Sequence, residues 1–177
     1  MVSVSLPVHL EFSPPVDQHM EQELCERWSE AGRIVSRMQT TDSIIASLLQ
    51  RLEQNLSDLE KDEVREELKR EISTALEAGG IPPRIRYTFT MVSVNFAMNN
   101  IELVKARRVE SIVLYLRCLS LESLLMVREM IVSGFLLRIL SEAIKEFIES
   151  RPRVQLIVQR EDFNLCLSCY YGVTSKD

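Results

Sequence analysis

The stretch VESIVLYLRCLSLESLLMVREMIVSGFLLRILSEAIKEFI, residues 109–148, decides how the rest of the chain is read. Within it, 111–119 (SIVLYLRCL) is an almost uninterrupted apolar run of strand length. Apolar residues on both sides of a strand predict a place in the middle of a sheet. Ser120 follows, placed to cap a helix, with Glu122 in the first turn. Leu121, Leu124, Leu125, Val127, Met130 and Ile131 then give that helix a broad apolar face. Ser133-Gly134 breaks it, and 135–149 carries a second helical pattern through Leu136, Ile139, Leu140, Ala143, Ile144 and Phe147.

Downstream, ESRPR turns the chain and RVQLIVQR (153–160) reads as a strand. Glu161-Asp162 is a turn into a last expected strand, FNLCLSCYY (163–171). Upstream, RIRYTFTMVSVNFAMN (84–99) is rich in aromatic and β-branched residues, with Tyr87, Phe89 and Met91 alternating. That pattern predicts one long strand. NNIELVKARRVE (99–110) reads either as a turn-like connection or as the beginning of the next strand.

The first half of the chain is helical. From Asp17, a capping residue, to about Gln39, Leu24, Trp28, Ala31 and Val35 recur at spacings of three and four. Thr41 and Asp42 are placed to cap a second helix, 42–58, with Ile45, Leu48, Leu49, Leu52, Leu56 and Leu59 on one side. A third, 61–78, carries Val64, Leu68, Ile72 and Leu76 at four-residue steps. SDLEKDE between them contains no helix breaker, so one continuous helix also fits. Gly79-Gly80 and Pro82-Pro83 end the region. Before all this, VSLPVHLEF (4–12) alternates as a strand, at an edge of the sheet because Pro7 lacks an N–H.

The fold class expected is α+β: an α/β sandwich with a mainly antiparallel sheet of about four to five strands and helices on one face. Residues 1–177 read as a single domain, with 17–78 a helical segment that fits either the sandwich itself or a semi-independent module. The chain has 46% hydrophobic and 27% charged residues, an ordinary globular balance. A net charge of −5 argues against nucleic-acid binding, which needs surplus Lys and Arg. No apolar run reaches membrane-spanning length; 111–127 comes closest and holds Arg117 and Glu122. The start, MVSVSLPVHL, has no basic region of a signal peptide, so the cytoplasm is the expected compartment.

Catalytic signatures are sparse. Cys166 and Cys169 form a CxxC, but it lies inside an apolar run, and the two histidines, His9 and His19, are too distant to complete a zinc site. With five glycines and no Walker or GxGxxG loop, phosphate-cradling loops are nearly excluded. Glu60, Asp62, Glu63, Glu66 and Glu67 interleave with Lys61, Arg65, Lys69 and Arg70 as a solvated helix face. Lys105, Arg107 and Arg108 are a basic cluster suited to guard an edge strand or to bind a ligand. The expectation is a non-enzymatic module that needs no cofactor or metal.

The block IVLYLRC (112–118), VREMIVSGFL (127–136), LLRILSEAIKEFI (136–148) and VQLIVQR (154–160) resembles the N-terminal domain of the TRADD family of death-receptor and innate-immune adaptors. The resemblance is strong over 110–160, and 84–171 is the best-matching part. It implies an α/β sandwich that binds a TRAF-type domain through the exposed sheet face and a neighbouring loop. On this chain it points to Val113, Tyr115, Arg107, Arg108 and Phe12 as partner contacts. A second expectation, from the residues themselves, is self-association through the leucine-rich helices 42–78, with Leu52, Leu56, Leu68, Ile72 and Leu76 as the stripe.

Overall fold

A computed structural model describes residues 3–171. Val4–Ser13 forms β1, and its alternation buries Val4, Leu6, Val8 and Leu10 on one side. Asp17 caps α1 (Gln18–Thr41) by accepting from the His19 N–H at 2.6 Å, and Asp42 caps α2 (Ser43–Arg51) in the same manner. α3 (Asp58–Ala78) begins at Ser57, which forms a reciprocal capping box with Glu60. The two helices are therefore separate: α2 stops at Arg51, and the expected range 42–58 was too long.

Gly80, in the left-handed region at φ +83°, ends the helical run, and Pro82-Pro83 starts the next element. That element is the principal correction. Residues Pro83–Met98 form a helix, α4, not a strand. Its composition favours a strand locally, but Pro83 occupies the first helical position, where no N–H is needed. Ile85, Phe89, Val92 and Phe96 are buried at helical spacing. α4 packs against α3, α6 and β2, so it is apolar around much of its circumference and its alternation is misleading.

The stretch read as a connection contains strand β2 (Ile101–Arg108), entered through Asn100 at φ 56°. β3 (Ile112–Cys118) follows, then α5 (Leu121–Val132), capped by Ser120, and α6 (Phe135–Phe147), separated by Gly134 at φ 82°. β4 spans Arg153–Ile157. The expected last strand is a helix instead, α7 (Arg160–Tyr171). Its buried Cys166 and partly buried Phe163, Leu167 and Tyr170 follow a helical repeat.

The sheet is antiparallel, four-stranded and ordered β2-β3-β1-β4. With helices between β1 and β2 and between β3 and β4, this is a β-α-β-β-α-β arrangement of the split βαβ kind. β3 is interior, as its apolar run predicts. β1 is interior too, contrary to the expectation from Pro7. The physical reason is that β4 pairs only with His9–Ser13 of β1. Around Pro7 the same side of β1 meets α7, whose Cys166 thiol lies 3.7 Å from the Ser5 carbonyl, so the missing N–H interrupts no ladder there.

On the other side of the sheet, α1 lies along β2. Ser29 Oγ accepts from the Ala106 N–H at 2.9 Å and donates to the Ala106 carbonyl at 3.0 Å. Ser36 Oγ donates to Glu102 at 2.8 Å, and Arg108 donates to Glu21 at 2.9 Å. Between the two serines, Gly32 touches the strand so closely that a Cβ there would sit 2.5 Å from the Leu103 carbonyl oxygen.

α3 forms an outer helical layer against α1, α2 and α4, burying Val64, Leu68, Ile72 and Leu76 almost completely. Burial of such side chains stabilises by about 1.5–3 kcal/mol each. Leu68, Ile72 and Leu76 are thus core residues with nothing left to offer a second copy. Leu52 and Leu56 are half-buried against the same core, and Leu59 alone of that series stands well exposed. The helical segment is part of the sandwich. The charged side of α3 is solvated, with Asp62–Arg65, Glu66–Lys69 and Glu67–Arg70 paired three residues apart.

Gly32→Ala should destabilise the fold by about 1–3 kcal/mol through overpacking against a backbone oxygen that cannot yield. Ser29→Ala, which strips both groups of Ala106 of their partner, should cost about 1–2 kcal/mol. Urea unfolding followed by circular dichroism measures both; an unchanged midpoint in either variant would show that α1 does not hold the edge.

Candidate functional site

Because the strand repeat is two residues, the core face determines what stands on the other face. Val4, Leu6, Val8 and Leu10 of β1 lie opposite Cys118, Leu116, Leu114 and Ile112 of β3 on the inside. Ser5, Pro7, His9 and Glu11 therefore share the outside with Arg117, Tyr115 and Val113. The register with β2 adds Glu102 beside Arg117, Lys105 beside Tyr115 and Arg107 beside Val113, across a bulge between Leu103 and Lys105. β4 contributes Ile157 beside His9, Gln155 beside Glu11 and Arg153 beside Ser13.

Lys105, Arg107, Ser5, Glu11, Arg153 and Gln155 are exposed, so this face of the sheet is open to solvent. Its middle is a small apolar strip of Pro7, Tyr115, Val113 and Ile157. The Lys105 ammonium lies 5.1 Å from the centre of the Tyr115 ring, a cation–π contact that steadies both side chains. Four cations stand on the face, Lys105, Arg107, Arg117 and Arg153, against two carboxylates, Glu11 and Glu102. Among the described residues none of the four has a carboxylate oxygen within salt-bridge distance. Glu102 is held toward α1 by Ser36.

Of the five residues singled out from the sequence, Arg107, Val113 and Tyr115 share this face. Tyr115 is half-buried and outward, but Val113 is only 3% exposed, shielded between the longer Arg107 and His9 on its two sides. Val113 is thus mostly covered on this face, and a carboxylate there would be buried. Arg108 points the other way, half-buried in its ion pair with Glu21. Phe12 likewise has the parity of the core face and packs against the core. Both nevertheless meet Val113, together with His9 and Val109, around a groove of about 570 Å3 at one end of the sheet. Sequence reasoning missed Arg117, Pro7 and Ile157 on the open face. Counting two residues on from Tyr115 reaches Arg117; the other two depend on strand pairing, which is not written locally.

The thiols are mostly shut away. Burial pushes Cys25 up to about 11, aided by the Glu21 carboxylate, and pushes Cys118 up to about 12. Cys166 is also raised, first by burial and then by Cys169. Cys166 and Cys169 lie in the body of α7 rather than at its N-terminus, so no helix dipole activates them. His19 is exposed at the start of α1 and His9 lies on the open face. Among the described residues no three His, Cys, Asp or Glu side chains converge on a metal-sized site. No described helix is long and apolar enough to cross a membrane.

The chain matches no protein-family model, no curated protein and no solved structure.

In the native protein, Ellman's reagent should titrate one thiol rapidly, that of Cys169, and all four only in denaturant; two or more fast thiols would contradict the burial of Cys25, Cys118 and Cys166. The raised thiols also fix a pH dependence. The unfolded chain loses these protons near the ordinary value of 9.0 while the folded chain keeps them until about 11 and 12. Stability contributed by the buried neutral thiols is thus complete below pH 9.0 and declines as the pH rises through that window. Urea midpoints at pH 8 and about 10.5 should show the decline, and Cys118→Ala should reduce it.

Proposed function

We propose that this chain is a non-enzymatic protein-interaction domain that works as an adaptor in death-receptor or innate-immune signalling, with its sheet face taking a TRAF-type domain. The observation that carries the reading is the division of the molecule's surfaces. The apolar stripes of α1, α3 and α4 are used up inside, whereas the sheet leaves Tyr115, Pro7 and Ile157 outward beneath a rim of Lys105, Arg107 and Arg117. A small apolar centre with a polar rim is the anatomy of a protein interface, and Tyr and Arg are the residues in which binding energy concentrates. The sequence resemblance over 110–160 supplies the kind of partner. A face this small binds weakly, and clustering of receptors converts weak contacts into avidity.

Four reduced cysteines, three of them buried, are in keeping with a cytoplasmic setting.

Isothermal titration with an isolated TRAF C-terminal domain tests the proposal. Binding in the micromolar range should weaken about tenfold or more in Tyr115→Ala, with the urea midpoint little changed because the ring is outward. No heat from the wild-type protein, or equal binding by Tyr115→Ala, would contradict it.

A further inference from the structure

We infer that the open sheet face selects an acidic, extended segment of its partner, lying along the β2–β3 pair. This deepens the interaction reading above and rests on it. One face differs in charge from the rest of the molecule. The chain as a whole carries −5, yet four cations and two carboxylates stand on the outward side of the sheet. An acidic segment is therefore repelled by most of the surface and drawn to this part of it.

The geometry narrows the ligand further. Lys105 and Arg107 project from the same side of β2 at alternate positions, a repeat of about 6.8 Å. An extended peptide has the same repeat, so carboxylates two residues apart meet both cations at once. Arg117 stands one strand over, beside Glu102, whose Oε1 is drawn toward α1 by Ser36; among the described residues no carboxylate oxygen lies within salt-bridge distance of the Arg117 guanidinium, which can meet a third carboxylate. Between these cations, Tyr115 and Pro7 are cross-strand partners, and they offer a shelf for one apolar side chain of the segment. The ligand is thus a run of Asp and Glu at alternate positions with an apolar anchor nearby.

A nucleic acid is also an anion, but this face suits it less. Sheets that read single-stranded RNA stack two or three bases on aromatic rings; here the outward aromatic side chains of the described strands are Tyr115, over whose ring the Lys105 ammonium already lies, and the smaller imidazole of His9. The surrounding molecule is acidic as well, which a long polyanion cannot avoid.

The test uses fluorescence anisotropy on the full chain. The probes are labelled peptides of about a dozen residues with alternating Glu, each with one Leu or Phe at a varied position. At least one should bind, more weakly as salt rises. Arg107→Glu/Arg117→Glu should weaken that binding by about tenfold or more, and the same peptide with Lys in place of Glu should then bind the double variant. Arg128→Glu/Lys145→Glu, an equal change of charge on the exposed sides of α5 and α6, should leave binding as it was. The inference is overturned if no acidic peptide binds, if charge reversal on the face has no more effect than Arg128→Glu/Lys145→Glu, or if a labelled oligothymidylate binds more tightly than every peptide. Its failure is distinct from failure of the interaction reading. A TRAF domain captured in a Tyr115-dependent but charge-independent way would keep the reading and remove the acidic segment; loss of Tyr115 dependence would remove both.

Discussion

A strand at the edge of a sheet leaves a row of backbone N–H and C=O groups without partners, and on β2 that row is met by a helix. α1 does what a fifth strand would do, but with side chains: Ser29 binds both backbone groups of Ala106, and Gly32 lets the helix come against the Leu103 carbonyl. Much else follows from that contact. It fixes α1, and the adjacent side of α1, about a quarter-turn round the helix, then presents Leu24, Trp28, Ala31 and Val35 as a wall for α3 and α4. It also makes lateral pairing with another copy along β2 unavailable. At the far side, α7 covers the half of β1 that the short β4 leaves open.

With one edge sealed and the helical stripes turned inward, the outward face of the sheet becomes the distinctive surface of the molecule. The core-facing residues of β1 and β3 are uniformly apolar, while the outward ones mix a tyrosine, a proline, a histidine and an arginine, with Arg107 beside them on β2. The two-residue repeat keeps the two sets of side chains apart on the same strands.

Elements with strong periodicity or a local stop signal were legible in the sequence. β3, α5, α6, the caps at Asp17, Asp42 and Ser120, and the breaks at Gly80 and Gly134 all stand where local chemistry puts them. The failures share a cause. α4 and α7 are made of residues that favour strands on their own, and burial among other elements overrides that preference. The capping box at Ser57 and Glu60 and the small stripe Ser29, Gly32, Ser36 were present in the sequence but gain meaning only against a partner element. Of the residues to which the family resemblance points, Tyr115 and Arg107 stand on the outward face. Arg108 and Phe12 were misplaced, because their parity is set by register across strands far apart in the chain.

The central claim is that the leucine-rich helices look inward and the sheet face looks outward in the isolated chain. Paramagnetic relaxation by a soluble gadolinium chelate, read on side-chain methyl and ring signals, tests it most directly. The account predicts that the methyls of Leu68, Ile72 and Leu76 keep their sharp signals while the Tyr115 ring and its neighbours on β2 broaden. Broadening of the α3 methyls, or a shielded Tyr115, would contradict it.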